Sequence, residues 1–494
     1  MDAAFLAMER PGEPRHLGSV CIFGPGADGP LTYETVRSVL EERLPLIASA
    51  RRVVVEVPLG LGRPTWGSDK RFDLEFHLRR TAVPASGGPS ALADLIARAH
   101  ARPLDRSRPL WELWFIDGLP DGRVALYTKM HMAAIDDVTG AEVMTALLSV
   151  QAGEPSMNGH RDRAERPLDR LLGGLPDQFR QASGFPGRMA TRAVRALGHQ
   201  AAGLGETVVE SIHRTPGLDS IARLLPPPTI GNLVGEVLDE HTTGRAPRVS
   251  WNAPVTAHRS FAMTQLPLDA IVAIKRATDT TVNDVVVAVC AGALRHWLDE
   301  HRELPTSPLV AMVPMLVRGG RDGRDDAHVA GLVVQLPTNV ADPGLRLRRT
   351  SEALQAAKQR RVAVPASMMQ DVSMFAPPAL AALAGRLVGA LPHRAFASPT
   401  VNLAITNVPG PREQVYLAGR PLEANYPVLT INELSPLHIG LQSSHGAIGV
   451  GALSCRDTLG DLAPLVERMS IELHELHVSV AATGTKVPGK GRRR

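Results

Sequence analysis

The spacing of apolar residues along the chain changes character twice. In the first 150 residues, apolar runs such as "LGSVCIFGP" (Leu17–Pro25), and "GRVALYTKMHM" after the turn "LPDG", predict strands. Between them, "TYETVRSVLEERLPLI" places Val36, Leu40 and Leu44 at helical spacing, and "SALADLIARAHARPL" predicts a second helix. From Gly153 to Arg248, prolines and glycines punctuate the sequence around one long helical pattern: Ala190, Val194, Leu197, Ala201, Leu204 and Val208. Mixed texture then returns. "TVNDVVVAVCAGALRHWLDEH" predicts a helix starting at Asn283 or Asp284, and "PLVAMVPMLVR" and "VNLAITNVPGP" predict strands. The pattern gives an α/β chain of two halves joined by a helical connector: residues 1–152, 153–248 and 249–480, with a polar, basic and disordered tail over 481–494.

Composition narrows the classes. A chain of 494 residues with 44% hydrophobic residues can bury a large core. Cys21, Cys290 and Cys455 are too far apart for a metal spacing or a disulfide framework, which points to a reducing compartment. The start "MDAAFLAMERPGEPRH" has no cationic region before an apolar core, so no signal peptide is expected. "VVVAVCAGAL" is too short to span a bilayer, and "APPALAALAGRLVGAL" is interrupted by Arg386 and prolines. A cytoplasmic protein, in peripheral contact with the inner face of the membrane at most, is the expectation. The net charge of +4 suits anionic ligands such as coenzyme A phosphates or an acidic lipid surface. Within residues 161–200, eight arginines face four acidic residues, so the connector is either a solvated helix or an amphipathic surface for anionic lipid. With aromatics at 4% and no basic stretch interleaved with them, nucleic acid is not expected as a partner.

Several short motifs fail on context. "GTKVPGK" (Gly484–Lys490) has the letters of a phosphate loop but no strand before it and no Ser/Thr after it. "ELHELH" sets His474 and His477 on one helical face without the metalloprotease spacing, so they read as surface histidines. No G-x-S-x-G elbow marks a serine nucleophile.

"YTKMHMAAIDDVTG" (Tyr127–Gly140) is different: a strand-like run ends in His131, and Asp136 follows five residues later. Moving an acyl group from a thioester to a hydroxyl requires removal of the hydroxyl proton, for which histidine is the usual base. Four segments, in order, resemble the bacterial wax ester synthase/diacylglycerol acyltransferase family. They are the opening "DAAFLAMERP…RHLGSVCIF", the Pro109-Leu110-Trp111 segment before this stretch, the Asn283-Asp284 pair, and "NLAITNVPGPREQVYLAG".

The resemblance implies two domains like those of chloramphenicol acetyltransferase, with the site in a channel between them. It also implies acyl transfer from long-chain acyl-CoA to diacylglycerol or a fatty alcohol, as in triacylglycerol biosynthesis, with no metal or other cofactor. Peripheral contact with anionic membrane or lipid droplets would go with such substrates. The family motif is His-His-x-x-x-Asp-Gly, with the second histidine as general base. Here it reads His131-Met132-Ala-Ala-Ile-Asp136-Asp137, and a thioether has no useful basicity.

His131 and Asp136 are the candidate catalytic residues, with Met132 at the base position. Trp111, Asn283 and Asp284 are candidates for substrate contact, Trp111 through an acyl channel and the other two against a capping role. Strand alternation sets His131 and Met132 on opposite faces unless the strand end is distorted. From the family's internal ion pair, Arg318 is the expected partner of Asp136. A second departure is Asp326-Ala327, where the family's Gly-Asn is expected. Two other readings stay open: a non-catalytic acyl-CoA- or lipid-binding relative, and an acyltransferase acting on another nucleophile such as an amine.

Overall fold

The structure is a computed structural model, and it describes residues 5–6, 9–10, 12–56, 64–84, 88–134, 148, 246–318, 327–359, 364–365, 399, 401–411, 413–433 and 435–483. The connector's long helix, Asp136, Asp137, Asp326 and residues 484–494 lie outside these residues, whereas residues 481–483, expected to begin the disordered tail, end the helix Ala463–Thr483. The side chain of Arg318 also lies outside them, and with it the expected pairing with Asp136.

Two mixed sheets form the core. The strands are β1 (His16–Phe23), β2 (Arg52–Val55), β3 (Thr65–Ser68), β4 (Leu78–Ala82), β5 (Trp111–Asp117), β6 (Val124–His131), β7 (Arg259–Pro267), β8 (Leu309–Arg318), β9 (Ala327–Leu336), β10 (Val364–Pro365), β11 (Leu403–Val408), β12 (Tyr416–Leu417), β13 (Arg420–Val428), β14 (Leu437–Ser444) and β15 (Ala447–Cys455). The first sheet runs β12-β13-β1-β6-β5-β4, the second β10-β9-β8-β11-β14-β15-β7, and β2 and β3 make a separate hairpin. The longer helices are α1 (Tyr33–Arg43), α2 (Gly88–Ala101), α3 (Leu268–Thr278), α4 (Val282–Glu300), α5 (Pro343–Gln359) and α6 (Ala463–Thr483). Among the described residues, no helix is long and apolar enough to cross a membrane.

The predicted elements that fall on the described residues are present, with shifted ends. The α4 helix starts at Val282, because Thr281 is its N-cap. The Thr281 hydroxyl accepts from the Asp284 N–H, and the Asp284 carboxylate accepts from the Thr281 N–H, a reciprocal capping box. The division at residue 249 does not hold for the sheets. β12 and β13 come from the C-terminal half, yet they complete the first sheet, with β13 antiparallel to β1 along Gly18–Phe23.

Alternation along the strands assigns the faces. In the first sheet, Cys21, Phe23, Leu113, Phe115, Val124 and Leu126 pack against α1. The opposite face, with Val20, Ile116, Ala125 and Tyr127, packs on α2 and on Phe261 and Leu453 of the second sheet. The second sheet turns Leu403, Ile405, Leu437, Ile439, Ile448 and Val450 toward α3–α6, in the largest apolar core. Its other face meets the first sheet where β13 crosses β15. There Gly449 and Gly451 leave room for the chain: a Cβ at either position would fall on the carbonyl oxygen of Asn425 or Pro427. Gly451→Ala is therefore expected to destabilise the protein by about 1–3 kcal/mol through overpacking against backbone that cannot swing away. Denaturant titration checks it, and an unchanged midpoint would mean the sheets slide apart freely.

Candidate acyl-transfer site

β6 carries Ala125, Tyr127, Lys129 and His131 on the face that meets the second sheet. The polar members are buried, and each is held. The Lys129 ammonium lies 3.1 Å from Glu112 and donates to the carbonyls of Ala99 and Arg102, both at 3.0 Å. The Tyr127 hydroxyl and His100 Nδ1 are 2.7 Å apart. These satisfied groups fix the strand's register beneath its last residue.

His131 ends the strand, opposite His16 of β1. Its Nδ1 accepts the Ala133 N–H at 3.0 Å, so in the neutral ring the proton sits on Nε2. That Nε2 has no hydrogen-bond partner among the described residues, and the Glu9 carboxylate is 3.6 Å away. His16 Nε2 lies 3.9 Å from the same oxygen, and Arg106 donates to the other Glu9 oxygen at 2.6 Å. Burial acts to raise the Glu9 pKa, but the contacts from His131 and Arg106 outweigh it and bring it down to about 2. Burial, helped by the Lys129 charge, depresses His16 to about 3. The result is an anion held between two imidazoles and a guanidinium. The one lone pair of His131 is engaged by backbone, and its N–H faces a carboxylate.

Met132 opens a short 3₁₀ turn, Met132–Ala134, and is half-buried. Its N–H donates to the Arg15 carbonyl at 2.8 Å, which ties the motif turn to the chain entering β1. The strand stops before Met132, so the turn, rather than strand alternation, orients its side chain.

Trp111 is buried in the core of the first sheet, where its indole N–H donates to the Ala50 carbonyl at 2.8 Å and its ring stacks on His77 at 4.5 Å. One Asp284 oxygen closes the capping box and accepts from the Ser351 hydroxyl at 3.2 Å, and the other is buried with no hydrogen-bond partner among the described residues. Asn283 meets the other quoted motif: Asn407, in "NLAITNVPGP", donates to its side-chain oxygen at 3.4 Å, and the Asn283 amide nitrogen is buried with no partner among the described residues.

One pair escaped the sequence reading. The Thr406 hydroxyl of β11 and His438 Nε2 of β14 are 2.7 Å apart, and His438 Nδ1 is 2.9 Å from the Thr430 carbonyl. No local motif announces it, because the two residues are 32 positions apart and meet only through parallel pairing of β11 with β14.

For metals, His296, Glu472 and Glu475 bring ligand atoms within 4.8 Å of one another. Arg468 already occupies the centre, with one guanidinium nitrogen 2.8 Å from His296 and 2.9 Å from each carboxylate. This cluster is an ion-pair network. His474 and His477 are exposed on α6, as their context predicts.

Several known proteins are similar to this chain. The model of the wax ester synthase/diacylglycerol acyltransferase catalytic domain matches residues 1–286, and that of the WS/DGAT C-terminal domain matches residues 327–477. Rv1760 of Mycobacterium tuberculosis, which carries the provisional name of diacylglycerol O-acyltransferase, is 33% identical over 96% of this chain and 89% of its own length. The probable diacylglycerol O-acyltransferase Tgs2 of the same organism is 30% identical over 97% of this chain and 98% of its own. The solved wax ester synthase/diacylglycerol acyltransferase of Marinobacter aquaeolei superposes with a TM-score of 0.66 at 27% identity, covering 97% of this chain and 98% of that one. The first condensation domain of the calcium-dependent antibiotic synthetase shares the fold at a TM-score of 0.51 and 16% identity, over 98% of this chain and 96% of that one. The expected two-domain α/β architecture of acyltransferase type holds.

Proposed function

The chain belongs to the wax ester synthase/diacylglycerol acyltransferase family, and from that premise we propose that it transfers a long-chain acyl group from acyl-CoA to a lipid hydroxyl, that of diacylglycerol or a fatty alcohol, without an imidazole at the motif's base position. The observation that carries this reading is the ordered frame around position 132. His131 is locked at the strand end by the Ala133 N–H and faces Glu9, while the following turn is tied to Arg15. His131 holds the motif turn in place, and proton removal is not assigned to it, because a ring whose lone pair is engaged takes no proton from substrate. The thioether of Met132 accepts none either. Transfer then draws on positioning of the two substrates, which alone contributes substantially to the rate.

The test follows palmitoyl-CoA with diacylglycerol or hexadecanol, measuring free CoA and the ester product together. Ester formation that needs both substrates is expected. Binding of palmitoyl-CoA with no ester from either acceptor would sink the transfer reading and leave a binding protein, the second reading that Met132 favours.

A further inference from the structure

We propose that Thr406 and His438 form a proton relay that accepts the acceptor hydroxyl's proton during acyl transfer, in place of a base at Met132; this rests on the transfer reading above. Hydrogen bonding fixes the state of the pair. A carbonyl oxygen can only accept, so His438 Nδ1 carries a proton and donates it to the Thr430 carbonyl. The lone pair of the neutral ring is then on Nε2, and the Thr406 hydroxyl donates to it at 2.7 Å. A hydroxyl bound to an imidazole, which is itself oriented by a third group, is the arrangement that activates hydroxyls in acyl transfer.

Placement favours the same role. Thr406 and His438 lie on the face of the second sheet opposite Ile405 and Ile439, which point into the helical core, so both face the first sheet. On the same face, a Cβ at Gly440 would press on Pro427 and Leu429. The pair is also joined to both motif segments. Thr430, whose carbonyl orients His438, donates its hydroxyl to the Pro14 carbonyl, and the next carbonyl, that of Arg15, accepts the Met132 N–H. Asn407, which follows Thr406, reaches Asn283. A second hydroxyl–imidazole pair, Tyr127 with His100, is fully buried in the core and unavailable to substrate, whereas Thr406 and His438 are only half-buried. Burial brings His438 down to about 4, so the ring is neutral at pH 7 with its Nε2 lone pair toward Thr406, and the protonated ring readily gives its proton back.

In the step, the acceptor oxygen forms its bond to the thioester carbonyl carbon as the acceptor's proton passes to Thr406 Oγ and the Thr406 proton passes to His438 Nε2. The C–S bond then breaks, and the imidazolium returns a proton through Thr406 to the CoA thiolate.

Ester formation from palmitoyl-CoA and diacylglycerol would be compared in the wild type, His438→Gln, Thr406→Val and the double variant His438→Gln/Met132→His, with palmitoyl-CoA binding measured in each. Both single variants are expected to lose about 10²-fold or more of the transfer rate while still binding palmitoyl-CoA. The double variant is expected to recover it, which a purely structural defect at position 438 would not allow. A His438→Gln rate equal to wild type overturns the relay and leaves the proposed transfer standing. Loss without recovery in the double variant makes His438 structural and also overturns the relay. An acyl adduct on Thr406 in the intact mass replaces the relay with a covalent route. Wild-type protein that binds palmitoyl-CoA and makes no ester overturns both readings at once.

Discussion

Met132→His is expected to raise the rate of CoA release in the presence of a lipid alcohol, by up to the roughly 10²–10⁴-fold that one positioned base contributes. The substitution is conservative for the fold. Position 132 is anchored through its backbone N–H to Arg15, and the ring before it is held through Nδ1 by the Ala133 N–H, so a new imidazole enters a turn already formed. Met132 is half-buried, which leaves space to exchange one side chain for another of similar length. The gain belongs in kcat, with KM for acyl-CoA little changed, because an added base acts in the transition state and leaves ground-state binding alone. It falls toward the lower end of the range if His438 already takes the proton. Equal rates in the two proteins, with product formed, would show that position 132 does not face the acceptor.

The elements around this site were legible because they are local. The helical spacing of Val36 and Leu40, and the apolar strand ending at His131, follow from side-chain period alone. The start of α4 was legible only nearby, at Asn283 or Asp284, because the reciprocal bonds between Thr281 and Asp284 fix the cap. The pairing of β13 with β1 was not legible, since it joins segments about 400 residues apart and any apolar strand would fit the same period. The glycines that let β13 cross β15 become meaningful only once that crossing is known. Glu9 lies in the opening segment that carried the family resemblance, yet nothing in its neighbourhood links it to His131, 122 positions away. The relation between His131 and Met132 was half legible. Alternation placed them on opposite faces, but the strand ends between them, so turn geometry decides. Thr406 and His438 had no signal at all, because a threonine and a histidine on separate strands carry no spacing rule.

Mild acid is expected to destabilise the protein, and the cause is histidine rather than carboxylate. His16 is fully buried and brought down to about 3 by burial, the Lys129 charge and His131. His100 is pushed well below its ordinary range by burial and by His16, and His438 down to about 4 by burial. Above pH 6.5 these rings are neutral in both folded and unfolded chains, so stability there is independent of them. As pH falls from 6.5 toward 3, the unfolded chain takes up protons that the folded chain refuses, and stability declines. For His16 alone the loss approaches about 5 kcal/mol once its folded value is reached, close to the whole stability of many domains. Glu9 works in a different window. Its depressed value of about 2 gives a contribution fully present above about 4.5, which is lost only as pH falls toward 2. A decline between pH 6.5 and 4.5 therefore belongs to the histidines. Gln in place of His16 keeps a donor toward the His100 carbonyl without a titrating ring. Urea unfolding at pH 7, 6 and 5 should show a stability slope for His16→Gln shallower than wild type by about 1.4 kcal/mol per pH unit below 6.5. Parallel slopes would mean that His16 is solvated in the folded state, and that the anion at Glu9 is held by His131 and Arg106 without it.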